Sequence, residues 1–364
     1  NTAPAITIAS LKAQEFGDDP ILLFLPADHI IKDEEKFIQI IQKGVEYAEK
    51  GRLVTFGITP TRPEIGFGYI ESKEILDKSL ITGYEVKRFI EKPNLEKATK
   101  LFTDKKYSWN SGIFLFKSST ILNQIEKFHP NIINPAKDAM KDKLLDLDFQ
   151  RLDKKSFSDC ENISIDQAVM EKTNLATVIP FNVGWSDIGS WETLWESESK
   201  DYNLNVISGK VINKNSKNCY LRAENKLLVC LDVENLIVVE TNDAVLVSNK
   251  KSSQKVNDVF IELNKSDYPE LKYHKKIYRP WGYFLSIQKE LKWQIKKLFV
   301  KPGASLSLQM HNHRSEHWVV VKGKAHVEIE NQKSFIEKNQ SIYIPLGTKH
   351  RLSNFETTPL IIIE

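Results

Sequence analysis

The sequence predicts an open, largely parallel α/β sheet over residues 1–203 and β-rich structure from residue 204 to the end. In the first part, short apolar runs of strand length alternate with amphipathic stretches of helical period, a pattern typical of βαβ units. After residue 203, β-branched runs separated by Asn, Gly and Lys replace the helical period. With 364 residues, the chain is long enough for about two or three domains.

Four segments of the first part support this prediction. Residues 21–25 are a fully apolar run that indicates a buried strand, and residues 53–57 and 112–116 indicate two more strands. Residues 32–50 have helical period, and Asp33 is a suitable N-cap near their start. Because ligands bind at the carboxyl ends of strands in such sheets, polar residues beside these strands are candidates for a site.

The β-rich part is predicted to contain two domains. Residues 204–265 form a small β-solenoid connector, because the β-branched runs from residue 206 to about residue 260 are each too short to be stable alone. A polar, Lys-rich patch at residues 264–276 is the predicted hinge. Residues 266–364 form the last domain, in which short strands separated by turns predict a small sandwich or jelly-roll barrel.

Composition excludes several classes of function. Lys and Arg number 51 and Asp and Glu 48, so the net charge of +3 gives no field that would recruit nucleic acid or an anionic membrane. No apolar run approaches the roughly 18 residues that a membrane span needs. Cys160, Cys219 and Cys230 lack metal-binding spacing. We therefore expect a cytoplasmic protein with reduced thiols and without nucleic-acid or membrane partners.

Residues 303–313 alternate between polar and apolar side chains. Positions 305, 307, 309, 311 and 313 are polar, whereas positions 306, 308 and 310 are apolar. A strand with this alternation has one polar and one apolar face, and in a barrel it predicts a ligand-bearing interior with packing outside. Imidazole, carboxylate and amide groups together suit Zn²⁺ or another divalent ion.

Two motifs in this region resemble the paired motifs of cupins. They are Gly303-x5-Gln309-x-His311-x4-Glu316-x6-Gly323, with Gln in place of the first His, and Pro345-x-Gly347-x2-His350-x3-Asn354, with Asn339 where a Gly is usual. The resemblance implies a divalent metal held by Gln309, His311, Glu316 and His350. A Gln-x-His sequence at this place in a cupin motif is similar to the sequence found in phosphomannose isomerases.

Neighbouring residues leave alternatives open. A single His in a strand is usually a hydrogen-bonded core residue, although several imidazoles and a carboxylate close together favour a metal site. His313 and His317 either support the ligands, transfer protons or are polar surface residues. Arg314 is either a phosphate clamp, since guanidinium binds phosphate bidentately, or an exposed charge.

Four short motifs in the first part contain candidate polar residues beside predicted strands or helices. They are Pro26-Ala-Asp28-His29 and Phe89-Ile-Glu91-Lys92-Pro93, which follow strands, Trp109-Asn110-Ser111-Gly112, which precedes a strand, and Trp185-Ser-Asp187-Ile-Gly-Ser-Trp191, which precedes a helix. Singly, each is better explained without a function, Asp28 and Asp187 by turns, Asn110 by a cap and Lys92 by a solvated charge, because Asp and Asn favour turns.

Together with Asn1-Thr-Ala-Pro-Ala and Gly66-Phe-Gly68-Tyr69-Ile, these motifs resemble, in order, those of bacterial mannose-1-phosphate guanylyltransferases. The resemblance extends through the connector into the cupin and is greatest to the bifunctional guanylyltransferase/mannose-6-phosphate isomerase type. It implies an α/β nucleotidyltransferase domain with a Rossmann-like mixed sheet. The implied reactions are GTP plus mannose 1-phosphate to GDP-mannose, for polysaccharide biosynthesis, and interconversion of mannose 6-phosphate and fructose 6-phosphate.

The resemblance also implies a role for each candidate residue. Asp28 and Asp187 hold Mg²⁺ across the triphosphate, since carboxylate oxygens suit that ion. Lys92 offsets charge on the sugar phosphate. The resemblance implies that Glu91 and Asn110 form hydrogen bonds with mannose hydroxyls. It also implies that Gly68 lets the backbone approach the sugar closely and that Asn1 lies near the guanine.

The chain departs from the family at its start. The family opens with a Gly-x-Gly-x-Arg loop that cradles the triphosphate. Residues 1–364 begin after that loop and stop inside or just after a barrel strand, so we expect this N-terminally truncated chain alone to transfer nucleotides poorly. We also expect a homo-oligomer.

Three alternatives remain open. The cupin could be a non-catalytic metal-binding module for assembly or sensing. The chain could be a fragment that only binds sugar phosphate or a partner subunit. Transfer to another hexose 1-phosphate is disfavoured by the attached cupin.

Overall fold

The structure is a computed structural model that describes residues 1–76, 80–141, 144–146, 149–266, 268, 274–330 and 332–364. The chain divides into two compact units, Asn1–Gly189 and Ser190–Glu364. The finer division after residues 203 and 265 stays a prediction, and residues 267 and 269–273 of the predicted hinge lie outside the described residues. Within the described residues, no helix has both the length and the apolar character needed to cross a membrane.

The first unit consists of helices packed on a central sheet. Its elements are α1 (Thr2–Gln14), β1 (Ile21–Phe24), β2 (His29–Ile30), α2 (Glu34–Glu49), β3 (Leu53–Ile58), β4 (Tyr69–Ser72), β5 (Tyr84–Ile90), α3 (Leu95–Thr103), β6 (Tyr107–Lys117), α4 (Ser118–Phe128), α5 (Pro130–Lys141), β7 (Leu144–Asp146), β8 (Phe149–Arg151), α6 (Lys154–Ser158), a π-helical turn (Asp166–Met170), β9 (Ala176–Pro180) and β10 (Ser186–Asp187).

The central sheet is mixed, with the strand order β1-β6-β3-β9-β5-β4. β3 and β9 are parallel, whereas β6 is antiparallel to β1, β3 and β4, and β5 is antiparallel to β4 and β9. The predicted mixed sheet is confirmed, but the prediction of a largely parallel sheet is wrong. Alternation of helices and strands along the sequence does not fix strand direction, because β4 pairs antiparallel with both β5 and β6, which follow it in the chain.

Local signals predicted the positions of elements better than their burial. Asp33 caps α2, and its Oδ1 accepts a hydrogen bond from Lys36 N at 3.0 Å. β1 is a strand as predicted, but it lies at the sheet edge, where Leu23 and Leu25 are 36% and 53% exposed. The prediction of a buried strand is wrong there, because an apolar run does not distinguish the centre of a sheet from its edge.

The second unit is mainly β-structure. Its elements are α7 (Trp191–Ser197), β11 (Val206–Lys214), β12 (Tyr220–Leu231), β13 (Leu236–Glu240), β14 (Val245–Asn249), a 3₁₀ helix (Lys250–Lys255), α8 (Val256–Lys265), β15 (Lys276–Arg279), β16 (Gly282–Lys289), β17 (Gln294–Val300), β18 (Glu316–Lys322), β19 (Ala325–Ile329), β20 (Gln332–Ile336), β21 (Ser341–Ile344), β22 (His350–Ser353) and β23 (Leu360–Ile363).

Strands β11, β12 and β13 pair in parallel, and β14 adds to them antiparallel, in keeping with a solenoid-like connector. The prediction of β-structure as far as residue 260 is wrong, because the 3₁₀ helix and α8 occupy residues 250–265. Val256, Val259, Phe260 and Leu263 recur at helical spacing, a period that the preceding β-branched runs obscured.

The last nine strands form two sheets, ordered β15-β16-β17-β23-β18-β21 and β20-β19-β22. One core draws on both sheets, with Leu298, Trp318 and Ile362 from the larger and Val327 and Leu352 from the smaller. This is the predicted two-sheet, cupin-like arrangement.

Asn354, the last residue of the second cupin motif, is fully buried. Its Nδ2 lies 3.1, 3.1 and 2.9 Å from the carbonyl oxygens of Val300, Lys301 and Thr358, and its Oδ1 accepts from Glu356 N. Asn354→Ala should lower the free energy of unfolding of the second unit by about 2–3 kcal/mol, because buried carbonyls lose their donor. Urea titration followed by tryptophan fluorescence would measure this loss. Exposed Asn312→Ala is the control, and equal stability of the two variants would contradict the expectation.

Candidate functional site

Three side chains of the cupin-like part converge on one point. The ligand atoms of His311, Glu316 and His350 all lie within 4.8 Å of one another. Glu316 begins β18 and His350 begins β22, whereas His311 lies in the segment that precedes β18. Paired hydrogen bonds between Gln309 and His350 (3.0 and 2.9 Å) hold that segment beside β22.

The segment that contains His311 is not the continuous strand that its alternation predicted. It pairs with β22 at two isolated bridges, Ser305 with Ser353 and Gln309 with His350. Leu306 is buried in the core, whereas Leu308 and Met310 are exposed, so the apolar positions do not form one outer face. Regular alternation therefore identified the polar residues but not the backbone conformation.

His350 has the properties of a metal ligand. The residue is 1% exposed, and its Nδ1 lies 2.9 Å from Thr348 O, which assigns the ring proton to Nδ1. Its Nε2 points toward Glu316 Oε2 at 3.4 Å and makes no hydrogen bond. Burial lowers the pKa of His350, but Glu316 and the Thr348 carbonyl outweigh this and raise the pKa above its ordinary value. A buried nitrogen lone pair without a donor is suited to a cation.

Glu316 is a buried carboxylate in a cationic setting. Its Oε2 accepts from Trp318 Nε1 at 3.2 Å, and its Oε1 lies 2.9 Å from both His311 Nε2 and Arg314 Nε. Burial alone would raise the pKa of Glu316, but His350, His311 and Arg314 lower it to about 2. The group is therefore ionised at neutral pH, as a metal ligand must be.

Arg314 donates from Nη2 to His311 Nε2 at 2.9 Å as well as to Glu316. Two imidazoles and a carboxylate whose ligand atoms lie within 4.8 Å of one another are a donor set that fits Zn²⁺ or another divalent cation. Gln309 is half-buried opposite His350, and its role as a fourth ligand stays a prediction. His313 and His317 are exposed.

In the first unit, Asp28 and Asp187 lie on two backbone segments that pair antiparallel. Asp187 is in register with His29, and Ile188 N donates to Asp28 O at 2.9 Å. Burial raises the pKa of Asp187, Glu64 and Asp28 add to this, and Arg62 opposes it. Carboxylates whose charges act on one another in this way favour a bound cation, and carboxylate oxygens suit Mg²⁺.

An aromatic cluster stands beside this acidic pair. Trp185 Nε1 donates to His29 Nδ1 at 3.1 Å, and the ring of Phe67 lies 5.6 Å from that of Trp185 and 5.2 Å from that of Trp109. Burial lowers the pKa of His29, with Asp28 opposing. Because Phe67 precedes Gly68 and Trp109 precedes Asn110, the cluster links the acidic pair to a second group of predicted residues.

That second group contains Gly68, Glu91 and Asn110. Asn110 N donates to Gly68 O at 2.8 Å, and a Cβ placed on Gly68 would lie 2.9 Å from Glu91 Oε2 and 3.5 Å from Asn110 Cβ. Lys92 Nζ lies 3.4 Å from Glu91 Oε1. The Asn110 motif was predicted to precede a strand, which is wrong, because it lies inside β6.

Asp166 is a group that the sequence reasoning missed. Its Oδ1 accepts a hydrogen bond from Asn110 Nδ2 at 3.0 Å. An Asp at the start of a helical turn is usually a cap, so no local signal singled it out. Asn1 is the exposed N-cap of α1, and the next residue, Thr2, accepts from Ile165 N at 2.8 Å, so Asn1 lies near the Asp166 segment.

Comparison with known proteins agrees with this division of sites. Residues 1–203 match the nucleotidyl transferase family model, residues 209–263 the MannoseP isomerase/GMP-like beta-helix domain, and residues 266–364 the mannose-6-phosphate isomerase C-terminal family. The first unit alone therefore does not account for the resemblance, which covers the connector and the cupin-like part as well.

Individual relatives match along the whole chain. The mannose-1-phosphate guanylyltransferase of Salmonella montevideo is 45% identical over 367 residues, and that of Escherichia coli strain K12 is 43% identical; each match covers 100% of this chain and 77% of the relative. A crystal structure described as mannose-1-phosphate geranyltransferase from Thermus thermophilus matches with a TM-score of 0.61 and 28% identity, over 72% of this chain and 75% of that one. The chain therefore belongs to the mannose-1-phosphate guanylyltransferase family, with a mannose-6-phosphate isomerase C-terminal domain.

Proposed function

We propose that this protein transfers the guanylyl group of GTP to mannose 1-phosphate, giving GDP-mannose and diphosphate, and that its cupin-like part interconverts mannose 6-phosphate and fructose 6-phosphate. The observation that carries the proposal is the similarity to guanylyltransferases at up to 45% identity along the entire chain. The grouping of Gly68, Glu91 and Asn110 and the pairing of the segments that carry Asp28 and Asp187 support it.

In the transfer reaction, a phosphate oxygen of mannose 1-phosphate attacks the α-phosphorus of GTP in line, and the bond to the departing diphosphate breaks. Asp28 and Asp187 would hold Mg²⁺, which when bound neutralises charge on the triphosphate. Lys92 would do the same for the sugar phosphate. Glu91 would accept hydrogen bonds from hexose hydroxyls, and Asn110 would donate one from Nδ2, because its Oδ1 already accepts from Thr55 and Gly112.

In the isomerisation, His311, Glu316, His350 and Gln309 would hold Zn²⁺ or another divalent ion, which when bound polarises the sugar carbonyl. Arg314, about half exposed, would bind the phosphate of the substrate from the same side. The second candidate function is a non-catalytic, metal-stabilised cupin. It keeps the metal cluster but has no isomerase activity.

The test is to express the complete reading frame and assay both reactions separately, with and without a chelator. We expect GDP-mannose from GTP, with dTTP and UTP used at least about tenfold less well. We also expect chelator-sensitive conversion of mannose 6-phosphate to fructose 6-phosphate. Transfer without isomerisation at full metal occupancy would favour the non-catalytic cupin, and the absence of both reactions would refute the proposal.

We further propose a cytoplasmic location, because the proposed substrates are highly charged phosphates that do not cross a bilayer unaided. The homo-oligomer stays a prediction from the family resemblance.

Gly68→Ala should raise the KM for mannose 1-phosphate about tenfold and leave the KM for GTP unchanged. A Cβ at this position would meet Glu91 Oε2 at 2.9 Å and Phe89 at 3.2 Å, so the Glu91 carboxylate must move from the proposed sugar site. Steady-state kinetics with each substrate varied in turn would measure the effect. The control is Gly17→Ala, where a Cβ meets nothing within 4 Å. A normal KM for mannose 1-phosphate in the Gly68 variant would contradict the assignment of Gly68 to the sugar site.

A further inference from the structure

The π-helical turn Asp166–Met170 begins with a carboxyl group to which the proposed reaction assigns no role. Asp166 is half-buried, and the residues that follow it, Ala168, Val169 and Met170, are in the core. The turn is therefore fixed by apolar packing, and it presents Asp166 to β6 rather than to bulk solvent.

The contact of Asp166 with Asn110 fixes the orientation of the Asn110 amide. Asn110 Oδ1 accepts from Thr55 Oγ1 at 3.1 Å and from Gly112 N at 3.2 Å, and its Nδ2 donates to Asp166 Oδ1 at 3.0 Å. If the amide were rotated by 180°, its NH₂ group would face the Gly112 N–H and its oxygen would face the Asp166 carboxylate, and both contacts would be repulsive. One of the two Nδ2 protons is used by Asp166, which leaves the other for a ligand.

Asp166 also shares its surroundings with a second carboxylate. Burial raises the pKa of Asp166 to about 6, the Glu91 carboxylate contributes to the rise, and Lys92 opposes it. Glu91 in turn faces Gly68, whose carbonyl accepts from Asn110 N. Two carboxyl groups therefore flank one amide, and this combination of acceptors and a donor is typical of sites for vicinal hydroxyl groups.

We propose that Asp166 is a sugar-binding residue of the first unit, with one oxygen holding the Asn110 amide and the other accepting a hydrogen bond from a hexose hydroxyl. This inference rests on the proposed transfer to mannose 1-phosphate and adds a residue to it. A purely structural Asp166 would act on sugar binding only through Asn110, so a variant that keeps the contact with Asn110 would bind mannose 1-phosphate normally.

The test compares Asp166→Asn with the unsubstituted protein, both from the complete reading frame. At about pH 8, the KM for mannose 1-phosphate should rise about ten- to hundredfold, as expected for loss of a hydrogen bond to a charged group, while the KM for GTP stays within about twofold. Glu171→Gln, an exposed acidic residue at the other end of the same turn, is the matched control and should leave both KM values unchanged.

The pH profile tests whether the charge of Asp166 is responsible for the effect on the KM for mannose 1-phosphate. As the pH falls below the Asp166 pKa of about 6, the carboxyl becomes neutral in the unsubstituted protein, and the ratio of the two KM values for mannose 1-phosphate should approach one. The ratio is used because the sugar phosphate itself titrates near pH 6, and this ionisation cancels between variant and parent.

Asp166→Ser is the second variant, since its hydroxyl can still accept from Asn110 without a charge, and calorimetric titration with mannose 1-phosphate measures its binding. Unchanged affinity in either variant, or equal rises of both KM values at every pH, would overturn the inference. Failure of the unsubstituted protein to bind mannose 1-phosphate would instead overturn the proposed function, and the inference with it.

Discussion

Replacement of His350 by Ala should remove the divalent ion from the cupin-like part and lower isomerase kcat/KM on the order of 1000-fold, with guanylyl transfer unchanged. His350 is almost fully buried, its Nδ1 is engaged by Thr348 O, and its Nε2 is free of hydrogen bonds within the cluster. Alanine removes this nitrogen and leaves Glu316 with one imidazole fewer, so a three-residue cluster becomes a weak two-residue one.

Metal content after gel filtration, measured by mass spectrometry, and conversion of mannose 6-phosphate would test this expectation. His326→Gln is the matched control, since His326 lies on β19 of the same unit among Phe335 and Phe355 and outside the cluster. Retention of a full equivalent of metal by the His350 variant would exclude His350 as a ligand. Loss of metal with normal isomerisation would favour the non-catalytic cupin.

Residues whose partners are close in sequence were predictable. Asp33 caps a helix that begins at the next residue, and the spacing of His311 and Glu316 within one motif anticipated their contact. His350 follows both residues by more than thirty positions. The resemblance to the two cupin motifs predicted that His350 lies beside them, and the bridge between Gln309 and His350 brings the two segments together. The alternation of polar and apolar residues therefore identified the polar residues of this segment, although the segment does not form a continuous strand.

Features that depend on tertiary contacts were not predictable. Strand direction in the central sheet depends on which strands become neighbours, and the edge position of β1 exposes leucines that an apolar run suggests are buried. Asp166 becomes a candidate site residue only because it accepts a hydrogen bond from Asn110, which is distant in sequence. A helical turn that begins with Asp gives no sign of this contact before the chain folds.

Arg314 contacts both His311 and Glu316, which are its near neighbours in the sequence, but its role was not predictable. As a residue two positions before Glu316, it could have been an exposed charge or a phosphate clamp, and the sequence did not distinguish between them. In the structure it bridges two candidate ligands while its side chain stays about half exposed. The Nη1 group of the guanidinium takes part in neither contact, so Arg314 can bind a substrate phosphate while it still bridges two candidate metal ligands, and metal and substrate binding are expected to be coupled there.

Asp187→Asn should lower kcat for guanylyl transfer by on the order of 100- to 1000-fold and leave isomerisation unchanged. The amide has nearly the same shape as the carboxylate, and β10 can still pair with β2, so the loss is one of charge. Glu64 and Asp28 raise the pKa of Asp187, which shows that their negative potentials overlap at this position. A cation that neutralises all three would be held much less tightly once one charge is removed.

Titration of transfer activity with Mg²⁺ at saturating GTP would measure the apparent affinity, which should weaken together with kcat. Asp18→Asn, an exposed acidic residue outside the cluster, is the control. If the dependence of transfer activity on Mg²⁺ were unchanged, Asp187 would be excluded as a metal ligand even if kcat fell. Because Asp187 and the His311–Glu316–His350 cluster belong to different units, each variant should lose one reaction and keep the other. Such reciprocal losses would distinguish two separate catalytic sites from one site with a passive cupin attached, since a passive cupin could be damaged without loss of any reaction.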